Sequence, residues 1–154
     1  MKRLVLAVVV AATFACVFAA PVQARQEKTL ASAHLFIKQM LTRGVQGFHM
    51  VDPQGYLVGV ADIVSVSSYE CTTFIEGQDE GGRRLSRRVN WRTVSSVGAT
   101  PQAKVAVEGA IIYTDGDTFP ALLLDIGNHD EASRIAAAME FIRTKCDPTA
   151  GGVW

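Results

Sequence analysis

The order of hydrophobic periodicities along this chain predicts an α+β domain. An N-terminal helix comes first, then a mostly antiparallel bent sheet or β-roll of about six to seven strands, then a C-terminal helix packed on the sheet. Three observations carry the prediction. Apolar residues recur at intervals of three and four over 29–43 and again over 130–145. Between those stretches the pattern shifts to strand-like alternation broken by turn residues, and the strand-helix-strand order of a parallel sheet is absent.

Ahead of the domain stands a leader. Lys2 and Arg3 precede an apolar run from Leu4 to Ala20, and Val22-Gln23-Ala24 supplies small residues at the first and third positions before a cut. That is the composition of a secretory signal peptide spanning residues 1–24, with the exported chain beginning at Arg25. A retained anchor is the alternative reading, but the run is at the lower limit of a bilayer-spanning length and closes on Pro21. A lipoprotein acylated at Cys16 is a third; Thr13-Phe14-Ala15 lacks the leucine that signal usually carries three positions upstream. Past the leader no apolar run reaches membrane length, so no transmembrane segment remains after its removal. The expected address is the bacterial periplasm or the medium.

Cleavage after Ala24 leaves 130 residues, enough for one core: a single domain over 25–148 and a loose tail over 149–154. The balance becomes 13 Lys and Arg against 15 Asp and Glu, a net charge of −2, which excludes a general nucleic-acid binder. Two cysteines remain, Cys71 and Cys146, and in an oxidising compartment an even pair predicts a disulfide. Cys146 shares a helical face with Ile135, Met139 and Ile142, so it points at the core. Closing the loop of about 75 residues is worth roughly 4.5 kcal/mol on chain-entropy grounds. No Cys-x-x-Cys spacing suggests a redox role.

Along the domain, Leu30, Ala33, Ile37 and Leu41 define the first helix, with Gly44 placed to cap its end. His34 lies on the same face as a packing residue, since no Cys or second His stands three or four residues away to form a metal pair. Strands 48–51 and 56–66 flank Asp52-Pro53-Gln54-Gly55, a type I turn sequence, and predict a hairpin. A strand over 69–76 follows, with Tyr69, Cys71, Thr73 and Ile75 on one face, and then a polar loop over 77–82. Further strands cover 87–91, 104–113 with a bend at Gly109, and 119–126 after a tight turn at Thr114-Asp115-Gly116-Asp117. The closing helix over 130–145 has Asn128 or Asp130 as its cap, Glu131 at the positive end of its dipole, and Arg143 and Lys145 at the negative end. Asp147-Pro148 stops it.

The segment Arg88-Val89-Asn90-Trp91-Arg92-Thr93-Val94-Ser95-Ser96-Val97, followed by the strand Lys104-Val105-Ala106-Val107, further strands and a terminal helix, resembles bacterial pleckstrin-homology-like domains over about half the chain. The resemblance implies a bent antiparallel sheet plugged by a final helix and a binding scaffold with no named ligand. The N-terminal helix and the leader depart from that pattern.

Candidate ligand or partner-binding residues are Arg83, Arg84, Arg87, Arg88 and Trp91, with Arg92 beside them. Forked guanidinium hydrogen bonds and a stacking ring suit a phosphate, a carboxylate or an acidic surface. The competing reading is a solvated hairpin whose basic arm screens the acidic run from Glu76 to Glu80, with Trp91 in the core. Asp115-Gly116-Asp117 opens like a calcium loop, but Phe119-Pro120-Ala121-Leu122 follows where further oxygen ligands belong, so a turn is expected and no metal site. His49, Asp52 and Asp62 offer a base and its orienter by proximity in a hairpin. No Gly-x-Ser-x-Gly, His-Glu-x-x-His or phosphate-loop motif occurs, so no catalytic residue is assigned and no cofactor is expected. These features favour an exported, non-enzymatic binding or accessory domain, a periplasmic interaction module for a protein or small ligand. Two alternatives stand beside it: an inhibitor or immunity protein against a toxic hydrolase, and a small hydrolase or isomerase using His49 or His129.

Overall fold

Thr29 and Ser32 start the first helix by satisfying each other: Thr29 N donates to Ser32 Oγ at 2.9 Å, and Ser32 N donates to Thr29 Oγ1 at 3.1 Å. Helix α1 then runs Leu30–Gly44, with Gly44 as its last helical residue rather than the first beyond it. The computed structural model describes residues 28–44, 47–113 and 116–149. The leader, Thr114 and Asp115 of the tight turn, and the tail past Thr149 lie outside the described residues.

Six strands follow: β1 Gly47–Val51, β2 Leu57–Tyr69, β3 Thr72–Gln78, β4 Arg84–Ala99, β5 Lys104–Tyr113 and β6 Thr118–Asp125. All neighbours are antiparallel. The sheet is neither open nor a roll, because β1 pairs with β6 as well as with β2 and the strands close into a barrel. Closure needs strong coiling, and the register shifts in the β1–β2, β2–β3, β4–β5 and β5–β6 pairs supply it. One such shift spans Val89 to Val94, which breaks the period of two and explains why β4 reaches 16 residues where only 87–91 was legible. Gly109, at φ 143°, bends β5 against Thr93 and Val94, as its position in the strand suggested.

The expected strand over 69–76 is instead the junction of two. Tyr69 pairs with Thr72, and Glu70-Cys71 forms the two-residue loop between β2 and β3. Nothing in the sequence announces this turn, because Glu70 takes a φ of 48° that glycine or asparagine usually supplies. The Asp52 turn is as read: its carboxylate accepts from Gln54 N and Tyr56 N at 3.0 and 2.7 Å.

Helix α2, His129–Cys146, is capped by Asn128, whose Oδ1 accepts from Asp130 N and Glu131 N. Ala132, Ile135, Ala136, Met139, Ile142 and Cys146 form its buried stripe, packed mainly on β4 and β5, while α1 packs on α2 and β2. Helical and barrel residues share one core, with Trp91, Phe48, Met50, Val107 and Leu122 essentially inaccessible. Trp91 is therefore a core residue. Its Nε1 donates to Thr73 Oγ1 at 2.9 Å, which satisfies the one polar group of the buried ring.

Cys71 and Cys146 are paired, their α-carbons 5.6 Å apart, well inside the separation a disulfide can bridge. Among the described residues no helix is long and apolar enough to cross a membrane.

Two stability tests follow from this packing. Replacing Cys71 or Cys146 by serine is expected to cost about 2–5 kcal/mol in urea unfolding, with intact mass of the unsubstituted protein confirming two hydrogens lost to the bond. At Gly77 an added β-carbon would overlap the Phe48 ring and stand 2.7 Å from the Asp62 carbonyl oxygen. Gly77→Ala is accordingly expected to cost at least about 1–3 kcal/mol by the same assay.

Candidate functional site

Small residues on facing helices leave room between them. Ser32 and Ala33 of α1 oppose Ala137 and Ala138 of α2, and the gap is a groove of about 380 Å³ walled by Phe36 and Phe141. Two cations complete its lining, Lys28 where α1 begins and Arg134 in the second turn of α2. The Arg134 guanidinium carbon lies 5.5 Å from the Phe36 ring centroid, and Lys145 Nζ lies 5.7 Å from that of Phe141. Neither Lys28 nor Arg134 enters an ion pair with a described carboxylate. Arg143, on the same helix, is committed: Nε and Nη2 fork onto Glu140 at 2.7 and 2.6 Å, and that fork holds the Glu140 carboxyl below its usual range. Ser32 is committed too, since its hydroxyl donates to Thr29 O while accepting from Thr29 N.

Both walls of the groove are tied to consecutive residues of one turn. His34 Nε2 meets Glu70 O at 2.8 Å; a carbonyl only accepts, so this nitrogen carries the hydrogen. Cys146 is held by Cys71. His34 is thus a packing and positioning residue on α1, as its helical face suggested.

A second, wider cleft of about 780 Å³ opens where the β5 bulge departs from β6, between Gly109, Ala110, Phe119 and Pro120. Its one carboxylate, Glu108, accepts from Ser96 Oγ at 2.6 Å.

The arginines near Trp91 do not form one surface. Strand alternation turns Leu85, Arg87, Val89 and Trp91 inward and leaves Arg84 and Arg88 exposed. Arg87 is fully buried. Its guanidinium carbon lies 3.8 Å from the Tyr113 ring centroid and 4.9 Å from that of Phe48, and it donates to Ser86 O and Gly59 O. Gly59, at φ 62°, leaves space that a β-carbon would fill 2.8 Å from Nη2. Arg83 is an exposed turn residue bonded to Asp79 at 3.0 Å. Its backbone N–H, foremost, and its side chain hold the Asp79 carboxyl below the usual range. The signal that separates Arg87 from Arg88 was present in the sequence, since Arg87 shares the parity of the apolar residues.

The proposed trio of His49, Asp52 and Asp62 is not assembled around a base. Asp52 is spent on its turn, and Asp62 is exposed on β2. The carboxylate nearest His49 is instead Asp125 of β6, 3.9 Å from Nε2 and bonded at 2.9 Å to Lys104 Nζ of β5. Cross-strand register brings these groups together, since Gly47 and Lys104 both oppose Asp125. Local sequence carries no sign of it. His49 Nδ1 is buried with no hydrogen-bond partner among the described residues, and His49 lines neither cavity. His129 is an exposed residue in the first turn of α2. Among the described residues no three His, Cys, Asp or Glu side chains converge as a metal site; the calcium-like triplet lies partly outside them.

No family model matches this chain, and neither a curated protein nor a solved structure matches it significantly.

Burial first, then the charge of Lys104, push the His49 imidazole below its ordinary value near 6.5, against the weaker upward pull of Asp125. The folded chain thus disfavours the protonated ring. This contribution to stability is present above about pH 6.5 and is lost as pH falls from there through the lowered value. In an NMR titration, Lys104→Gln is expected to raise the His49 midpoint and Asp125→Asn to lower it. Opposite shifts would refute the directions assigned to the two charges.

Proposed function

We propose that this chain is an exported, non-enzymatic binding domain whose ligand site is the groove between α1 and α2. The observation that carries the reading is that groove itself: an apolar trough with aromatic walls and two cations that form no ion pair among the described residues, of a size usual for ligand sites. Three further features support it. The leader composition addresses the chain to an oxidising compartment, and the Cys71–Cys146 pair is compatible with that address. The closed barrel gives every strand two partners, so a peptide has no free edge to extend. The resemblance to pleckstrin-homology-like domains adds a scaffold that commonly binds rather than reacts.

A hydrolase or isomerase reading is less well supported. Its two histidines stand apart from both cavities.

Export has a direct test. Expression of the precursor in a secretion-competent bacterium is expected to yield an envelope-fraction protein whose N-terminal sequence begins at Arg25; recovery of the uncut chain from the cytoplasm would overturn it. The site is tested in the same cells with a photo-crosslinking residue at Ala137 in the groove or Ala110 in the β5 cleft. Discrete adducts are expected at Ala137 and not at Ala110. The reverse result would move the site to the barrel wall, and catalytic turnover abolished by His49→Ala without loss of fold would replace the reading altogether.

A further inference from the structure

Resting on the groove assignment above, we infer that its occupant is a free single-chain amphiphile with an anionic head, of the medium-chain carboxylate type. The body of the ligand is set by what the groove withholds. Its walls are the methyls of Ala33, Ala137 and Ala138 and the rings of Phe36 and Phe141. Its one hydroxyl, Ser32, is already engaged as donor and acceptor within the α1 cap. A polar body would lose its water and find no directional partner, whereas an alkyl chain gains on every methylene it buries.

The head is set by charge. Arg83, Lys104 and Arg143 are each neutralised by a carboxylate, but Lys28 and Arg134 face the groove without one among the described residues. Arg134 lies over the Phe36 ring, which leaves its formal charge unneutralised while placing it at the edge of the apolar wall. An acid whose chain lies along the alanines brings its head to this pair of cations, while a cationic head would be repelled. Size selects the single chain. At about 380 Å³ the groove is at the low end of ligand sites, which run roughly 300–1,000 Å³, and is short of the room a two-chain lipid body needs.

The test uses the purified full-domain protein labelled at its alanine methyls. Decanoate, decanol and decyltrimethylammonium are titrated separately below their micellar concentrations, alongside phosphatidylglycerol vesicles. Saturable shifts of the Ala33, Ala137 and Ala138 methyls are expected with decanoate, at an affinity at least about tenfold above that of the cationic chain. The double variant Lys28→Gln/Arg134→Gln is expected to lose about tenfold in decanoate affinity, or ~1.4 kcal/mol, while binding decanol unchanged and melting at the same temperature. Ala137→Trp, at an exposed position, is expected to block all three chains. Equal binding of the three chains would overturn the anionic head and leave the groove standing as a site. Shifts with none of them would overturn both readings. Vesicle binding without decanoate shifts would overturn the free amphiphile in favour of a bilayer surface.

Discussion

The loop of Glu70 and Cys71 is the point on which the rest of the structure depends. Three connections from distant parts of the chain meet there: His34 of α1 on the Glu70 carbonyl, Cys146 of α2 on the Cys71 sulfur, and Trp91 N of β4 on the Cys71 carbonyl at 2.9 Å. Glu70 is held at φ 48°, a conformation costing a non-glycine residue roughly 1–2 kcal/mol. A disulfide closing a 75-residue separation is worth roughly 4.5 kcal/mol in the denatured-chain argument, so the strained turn is affordable several times over. Because both helices are tied to adjacent residues of that turn, the spacing between them, and with it the groove, is a property of the barrel as much as of the helices.

Closure of the barrel is the second constraint, and it decides what kind of surface is left for binding. The five-residue β1 lies between β2 and β6 and removes the edges that a bent open sheet would have kept. The interior is then filled rather than hollow. Gly77 admits the Phe48 ring and Gly59 admits the Arg87 guanidinium, so two positions without side chains allow two large ones inside. With the strands paired on both sides and the lumen packed, the concave surfaces described lie on the outer wall and between the helices.

Charge follows the same logic. Arg87 and Arg88 are neighbours in sequence and occupy opposite sides of the barrel wall, one stacked on Tyr113 in the core and the other in solvent. A run of basic residues on a strand is therefore not a basic patch. Lys28 and Arg134 are 106 positions apart and line one groove. The Lys104, Asp125 and His49 cluster has the same origin: β5, β6 and β1 lie side by side, Lys104 and Gly47 both oppose Asp125, and His49 stands two residues along from Gly47.

Much of the fold was legible because its signals are local. The two helices, the Asp52 hairpin, the β5 span with its bend at Gly109, the Asn128 cap and the pairing of Cys71 with Cys146 each follow from periodicity, turn chemistry or cysteine count over short stretches. The loop at Glu70 was hidden because a glutamate takes a backbone conformation that tertiary contacts, not its own preference, hold in place. The length of β4 was hidden because a bulge broke the alternation that would have revealed it. The inward course of Arg87 was marked by the parity it shares with Leu85, Val89 and Trp91, whereas barrel closure and the groove were decided by pairings across the whole chain. A strand's neighbours and a helix's facing partner depend on register and packing between segments far apart, and no window of sequence contains both sides of such a contact.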